Sequence, residues 1–336
     1  MAGHNIRKLA TIRTISNIYP IPGADAIDVA TVDGWKVVVR KGEFSIGEQV
    51  IYIEIDSWVP TKIAPFLSKG KAPKVFNDVK GEKLRTIRLR GQVSQGLILP
   101  YRILTEPLND DLTAQLGIQK WEAPIPAQLA GRIIGGFPAA IPKTDEERIQ
   151  NLTNEFKGWQ EQGLSFEVTE KLNGSSMTVF LHDGVFGVCS RNFNLAQDET
   201  NTFWRVAIAQ GLQGKLERIG YNLALQGELI GNGVQGNSYN LEQQFIVFTI
   251  YNISEGRYLT PKERVELCSQ YTLSHVPVLA SNHCIDGYSL ETLLEKSQGT
   301  SALNCAIERE GVVFKCCDNP SIHFKVISTR FLLSEK

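Results

Sequence analysis

The chain has 336 residues, 42% hydrophobic and 21% charged, and a net charge of −1. This is the make-up of a globular protein of two domains, without the global basic charge that announces a nucleic-acid partner, so any basic surface must be local. No stretch of about 18 apolar residues is present, Met1–Arg7 has no signal-peptide core, and Ala2 stands where a myristoylated glycine would, so an intracellular location without membrane association is expected.

Residues 1 to about 105 read as all-β. Ala10–Ile15, Trp35–Val39 and Gln49–Ile55 alternate, and Pro20–Gly23, Asp33-Gly34, Lys41-Gly42 and Ile46-Gly47 punctuate them as turns. Short strands at this spacing predict a small barrel or sandwich, ending in the strand Gly91–Pro100. From Lys69 to Arg90 there are eight basic residues, Lys69, Lys71, Lys74, Lys80, Lys83, Arg85, Arg88 and Arg90, opposed only by Asp78 and Glu82. Such a stretch fits a phosphate-contacting surface, and equally a charged barrel edge that resists aggregation. A proline- and glycine-rich connector spans Pro124–Pro142. A helix is then predicted, with Thr144 as its cap, Glu147 three residues later and Asp145–Leu152 as its body.

Residues 165–336 are mixed. Met177–His182, Asp183-Gly184 and Val185–Arg191 form a hairpin pattern, whose two-residue turn sets Arg191 opposite Ser176. A helix is expected from about Thr200 to Gly211, and strands at Leu223–Glu228, Gln244–Tyr251, Gly311–Lys315 and His323–Ile327. Strands with scattered helices and no βαβ alternation predict an α+β domain of antiparallel sheets. None of the six cysteines forms a CxxC pair, so reduced, buried thiols are expected rather than structural zinc. The five histidines show no metal-ligand spacing.

Lys171 ends the strand-like run Glu167–Lys171 and leads straight into Leu172-Asn173-Gly174. Lysine is a poor strand residue, and one held at a strand end beside a pocket becomes a nucleophile if its charge is suppressed. Arg191, Glu228, Glu310, Lys315 and Lys325 each end or interrupt an otherwise apolar segment. Cations to hold phosphates and carboxylates to hold a divalent metal are the mix that phosphoryl chemistry needs.

In order and rough spacing these residues resemble the covalent nucleotidyltransferases, the ATP-dependent ligases and mRNA capping enzymes. Lys171–Gly174 is similar to their KxxG nucleophile motif, Ser190-Arg191 to the second motif and Gly227-Glu228-Leu229 to the third. Phe248-Thr249-Ile250 is similar to the aromatic element that follows, Glu310–Lys315 to the fourth motif and Phe324–Ile327 to the fifth. Asn173 replaces the aspartate usual in capping enzymes and DNA ligases. Glu170, the Gly227–Gly231 run, the Gly233–Asn237 loop and Lys143–Asn151 resemble the nick-sealing RNA ligase branch. The all-β segment at the N-terminus resembles a small branch in which an OB-type domain precedes the ligase domain.

The resemblance implies an ATP-dependent RNA ligase, with an RNA-binding OB-like β-barrel over 1–120, a linker and helix over 121–164 and a nucleotidyltransferase domain over 165–336. It implies ATP as AMP donor, Mg²⁺ or Mn²⁺ as metal, a monomer, and as partners RNA 5′-phosphate and 3′-OH ends, nicked duplex included. Lys171 would carry AMP, pass it to the 5′-phosphate and so allow the 3′-OH to form the phosphodiester. Lys315 and Lys325 would hold the α-phosphate. Glu310 and Glu228 would hold the metal, with Glu228 also at the ribose. Glu170, Asn173, Arg191, Phe248, Arg148 and Arg330 are the further ATP contacts, Phe248 on adenine. The metal and Lys325 are expected to favour the neutral amine of Lys171. Ile327 replaces the second lysine of the usual KxK, and Thr249 stands where relatives often carry aspartate. The rival readings are a DNA ligase or capping-type transferase, and a non-catalytic OB-type RNA-binding protein.

Overall fold

A computed structural model divides the chain into two units, Met1–Pro124 and Ile125–Lys336. It describes residues 7–103, 109–122 and 130–334; the Pro124–Pro126 start of the connector lies outside them.

In the first unit the alternating runs become β1 (Ala10–Pro20), β2 (Ile27–Val32), β3 (Trp35–Arg40) and β4 (Gln49–Ile53). The chain continues through β5 (Ser57–Pro60), β6 (Lys74–Phe76), β7 (Val79–Lys83), β8 (Ile87–Leu89), β9 (Gln92–Ser94) and β10 (Leu97–Pro100). A short α1 (Thr113–Leu116) and β11 (Gln119–Lys120) follow. Five strands form an antiparallel sheet in the order β10-β4-β1-β2-β3. At a bulge between Ile15 and Asn17, β1 passes from β4 to β2 as its partner. A bulge bends its strand and adds twist, so the sheet curls. The curl brings β3 to the end of β9: Val38 N–H donates to Ser94 Oγ at 2.9 Å and Gln95 N–H to the Lys36 carbonyl at 2.8 Å. Trp35, Tyr52, Ile51 and Ile53 are buried inside.

The second unit begins with β12 (Ile133–Gly136), α2 (Thr153–Glu161), β13 (Ser165–Lys171), β14 (Ser175–His182), β15 (Val185–Cys189) and β16 (Phe193–Leu195). Next come α3 (Thr202–Ala209), α4 (Leu212–Ile219), β17 (Leu223–Ile230), β18 (Gln244–Asn252) and β19 (Arg257–Tyr258). It ends with α5 (Pro261–Gln270), β20 (Val278–Cys284), α6 (Leu290–Ser297), β21 (Gly311–Cys316), β22 (His323–Ile327) and α7 (Thr329–Ser334). The strands make a seven-stranded sheet, β12-β16-β15-β14-β17-β18-β19, and a four-stranded sheet, β20-β13-β21-β22. The hairpin forms in the expected register, with Thr178 opposite Cys189 and left-handed backbone at Asp183 and Gly184.

The helix expected over 144–152 does not form. Residues 142–147 have no helical structure, Ile149–Asn151 make one 3₁₀ turn, and α2 starts only at Thr153. The backbone is committed elsewhere: Lys325 N–H donates to the Glu147 carbonyl at 2.9 Å, Arg148 bridges Lys325 in parallel, and Gln226 Nε2 donates to the Pro142 carbonyl at 2.8 Å. These tertiary bonds override the weak helical preference of the acidic run.

Each sheet buries one face under helices. Val179, Leu225, Leu229 and Phe245 pack against Phe203, Trp204 and Leu216 of α3 and α4. Phe166, Phe314 and Phe324 pack with Phe156 and Leu293 of α2 and α6. Because side chains alternate along a strand, the opposite face of the smaller sheet carries Glu167, Lys171, Lys315, His323 and Lys325. This face is tied to the larger sheet through α5. Arg264 Nη2 donates to both oxygens of Glu167, at 3.1 and 2.6 Å, and Arg264 Nη1 to the Phe248 carbonyl at 3.3 Å. Both partners are buried. Arg264→Leu strands the Glu167 charge, and a loss of about 3–5 kcal/mol of stability is expected in chemical denaturation.

Candidate active site

Lys171 stands where the chain leaves the smaller sheet, and Leu172-Asn173-Gly174 carry it across to β14 in the larger one. Two close approaches fix the crossing. A Cβ at Gly174 would collide with the Leu229 carbonyl, and one at Gly311, which pairs with Lys171, would collide with the Val326 carbonyl. Glycine is required at both because the neighbouring backbone leaves no room for a side chain.

The β21 register puts Glu310 beside the lysine, with Lys171 Nζ 2.7 Å from Glu310 Oε1. Burial disfavours the ammonium charge, but Glu310 and Glu228 outweigh it and raise the Lys171 pKa above its ordinary value. Among the protein's own groups, then, Lys171 is held as an ammonium ion. The neutral amine expected from the motif depends on a metal cation as well as Lys325; the two carboxylates by themselves act in the opposite sense.

Burial pushes the Glu228 carboxyl up to about 8, with Lys171 opposing and Glu310 and Glu146 adding to the rise. Glu146 behaves in the opposite sense. Burial works against its charge, but His323, Lys325 and Lys315 hold its carboxyl below the usual range. Lys315 donates to the Phe248 carbonyl at 3.4 Å, and burial, reinforced by Arg264, pushes its pKa down to about 8. Burial also lowers the His323 pKa, with Glu146 opposing and Lys315 and Lys325 assisting. Asp145 joins the two sides of the cleft, 3.7 Å from Lys325 Nζ and 3.5 Å from Arg191 Nη2.

Next to the Lys171 turn lies a second cluster. Glu170 is buried, its Oε2 accepts the Ala302 N–H at 2.7 Å, and its Oε1 has no hydrogen-bond partner among the described residues. Asn173 N–H donates to the Tyr239 hydroxyl at 2.7 Å. Phe248 is half-buried against Leu172, Ile230, Tyr239 and Ile246. A buried carboxylate oxygen without a partner among the described residues can accept from an exocyclic amine, and an aromatic face suits a purine.

The structure thus brings together Lys171, Glu228, Glu310, Lys315, Lys325 and Arg191, with Glu170, Asn173 and Phe248 alongside. Arg148 is buried on the non-helical 142–148 segment that also carries Asp145 and Glu146, bridged to Lys325. Arg330 is exposed and pairs with Glu308 at 3.4 Å rather than with the cluster. Sequence reasoning gave no role to Asp145, Glu146, Tyr239 or His323. His323 shares a strand face with Lys325 at two-residue spacing, a signal that was available. Asp145 and Glu146 were concealed by the helical reading of their segment.

Among the described residues no three His, Cys, Asp or Glu side chains form a metal-binding group by themselves. Glu228 and Glu310 nevertheless fit a divalent cation. They are hard oxygen donors, and the Glu228 carboxylate, whose pKa is raised by burial first and by Glu310 and Glu146 second, would be stabilised in its charged form by such a cation. The remaining ligands would be water and substrate phosphate oxygens, as is usual for Mg²⁺.

In the first unit Lys69, Lys71, Lys74, Lys80, Arg85, Arg88 and Arg90 are exposed. Lys83 differs: it lies 3.3 Å from Asp56 and 3.8 Å above the Trp121 ring.

A model of the RNA ligase family matches residues 164–327, and an OB-fold domain model matches residues 9–101. No curated protein matches the chain. Solved structures of Naegleria gruberi RNA ligase are similar over almost the whole length. The structure with PPi has a TM-score of 0.90 at 44% identity, covering 97% of this chain and 98% of that one. Mutants of the same ligase with ATP and Mn and with AMP and Mn each have a TM-score of 0.89, at 44% identity and the same coverage.

The Glu228 geometry generates a pH dependence. Its carboxyl titrates near 8 in the folded protein against an ordinary 4.5, so between those values the unfolded chain sheds a proton that the folded one keeps. Stability contributed by this group therefore falls as pH rises through that window. Without nucleotide or metal, Glu228→Gln should gain stability relative to the parent between pH 5 and pH 8, a trend that thermal melts in matched buffers would follow.

Proposed function

The chain belongs to the RNA ligase family, and from that premise we propose that it joins RNA 3′-OH and 5′-phosphate ends with ATP, through AMP carried on Lys171. The observation that carries this reading is the Lys171–Glu310 pair, set at the crossing between two sheets and ringed by Glu228, Lys315, Lys325 and Arg191.

In the first step Lys171 Nζ forms a bond to the α-phosphorus of ATP, and the bond from that phosphorus to pyrophosphate breaks. The proton that Lys171 must lose passes to Glu310, whose Oε1 lies 2.7 Å from Nζ. Lys315 and Lys325 face the charge that develops on the α-phosphate, where preorganised cations act most strongly. Glu170 Oε1 accepts from the adenine amine, and Phe248 packs on the base. Arg191 and the buried Arg148 are the further phosphate or ribose contacts. Glu310 and Glu228 would hold a divalent cation, which would supply charge neutralisation at the phosphates. In the second step the RNA 5′-phosphate oxygen takes the AMP and Lys171 leaves. In the third the 3′-OH attacks the RNA 5′-phosphorus and AMP departs.

The exposed basic residues of the first unit supply a phosphate-contacting surface for the RNA. Lys83 is excepted, since Asp56 and Trp121 occupy it. Nicked duplex is the substrate form proposed, acted on by a monomer, with the branch resemblance as support. The six free cysteines suit a reducing intracellular compartment. Among the described residues no helix is long and apolar enough to cross a membrane.

Mass spectrometry after incubation with ATP and Mg²⁺ or Mn²⁺ should find one AMP on Lys171, and none in Lys171→Ala. An adduct retained by Lys171→Ala would contradict the assignment. Neutralising Lys69, Lys71, Arg88 and Arg90 together should flatten the dependence of RNA binding on log salt by about 0.7–0.9 per lost phosphate contact. An unchanged slope would remove this surface from the reading.

A further inference from the structure

The turn that carries Lys171 is held by a residue with no place in the steps above. Tyr239 is 4% exposed, and its hydroxyl oxygen accepts the Asn173 N–H at 2.7 Å. Its ring packs among Leu172, Ile230, Ile246 and Val276. Both the ring and the oxygen therefore bear on the two residues that follow the nucleophile.

Tyr239 is itself fixed. Asn304 Nδ2 donates to the Ser238 and Tyr239 carbonyls at 3.4 and 3.3 Å. Asn304 lies two residues beyond Ala302, whose N–H holds Glu170, the residue before the nucleophile. The same loop runs on into Glu310, the ion-pair partner of Lys171. One loop thus restrains the chain on both sides of Lys171 and delivers its counter-charge.

We propose that Tyr239 is a positioning residue for Lys171: its hydroxyl fixes the Asn173 backbone and so aims the lysine amine at the α-phosphorus. The inference rests on Lys171 being the nucleophile. Removing the hydroxyl leaves a partly buried N–H without its acceptor and frees the turn to shift. Nucleophilic attack is steep in distance, with a misplacement of about 1 Å costing as much as about 100-fold.

Tyr239→Phe retains the ring and deletes only the hydroxyl. In the full-length protein the rate of self-adenylylation at saturating ATP should fall about tenfold, while the half-saturating ATP concentration stays within about twofold of the parent. Sealing of pre-adenylylated RNA, in which Lys171 forms no bond, should proceed at the parental rate. Parental adenylylation by Tyr239→Phe, or equal loss in adenylylation and sealing, would overturn the positioning role, the second outcome marking a general structural defect. The parent is assayed alongside. If it formed no Lys171 adduct, the nucleophile assignment itself would fall, and the Tyr239 inference with it.

Discussion

The ion pair between Lys171 and Glu310 is the constraint on which the rest of the site depends. Both groups sit at positions the backbone fixes tightly. Gly174 lets the Lys171 turn pass the Leu229 carbonyl, and Gly311 lets β21 pack against β22 while Glu310 turns toward the lysine. Glu310 and, where it is ionised, Glu228 raise the pKa of the amine, and a charged amine has no lone pair with which to attack. Substrate must therefore shift this balance as it binds. A divalent cation held by Glu310 and Glu228 would supply the opposing positive charge by engaging the same carboxylates.

Around that pair the two sheets divide the work. The larger sheet supplies Glu228 and, from the ends of its hairpin and β18, Arg191 and Phe248. The smaller supplies Lys171, Lys315 and Lys325. Neither set acts alone, so the sheets must hold their spacing. The buried Arg264–Glu167 pair does this from beneath, and Arg264 and Lys315 both donate to the Phe248 carbonyl. From the open side, the 142–148 strap joins Gln226 to Lys325 and places Asp145 between Arg191 and Lys325. Asp145 is partly exposed and its contacts are long, so it holds the cations weakly, as a solvent-exposed pair does.

Much of this was legible in the sequence because the strands that build the cleft alternate cleanly. The Asp183-Gly184 turn fixed the hairpin register, and with it the position of Arg191. The residues that interrupt apolar strands proved to share one cleft. What escaped was decided by tertiary bonds. The Thr144–Leu152 run carries a capping pattern, yet its backbone bonds to β22 and to Gln226, so it forms a strap instead of a helix. Strand β20, with the sequence Val-Leu-Ala-Ser-Asn-His-Cys, has no strict alternation; it is a strand because β13 offers it an edge. Helix α5 had its signals in plain view, Thr260, Pro261 and Glu263, which form a complete capping box. The charge on Lys171 could not be read from the motif, since it depends on how closely Glu310 approaches.

That charge can be measured directly. With lysine side chains isotopically labelled and the Lys171 signal assigned through Lys171→Arg, an NMR titration without nucleotide or metal reports the pKa of this one amine. The expected result is a value above that of an ordinary lysine, falling toward it in Glu310→Gln. A Lys171 amine already neutral near pH 7 in the protein alone would contradict the central claim that the neighbouring carboxylates, Glu310 foremost, raise the pKa of this amine.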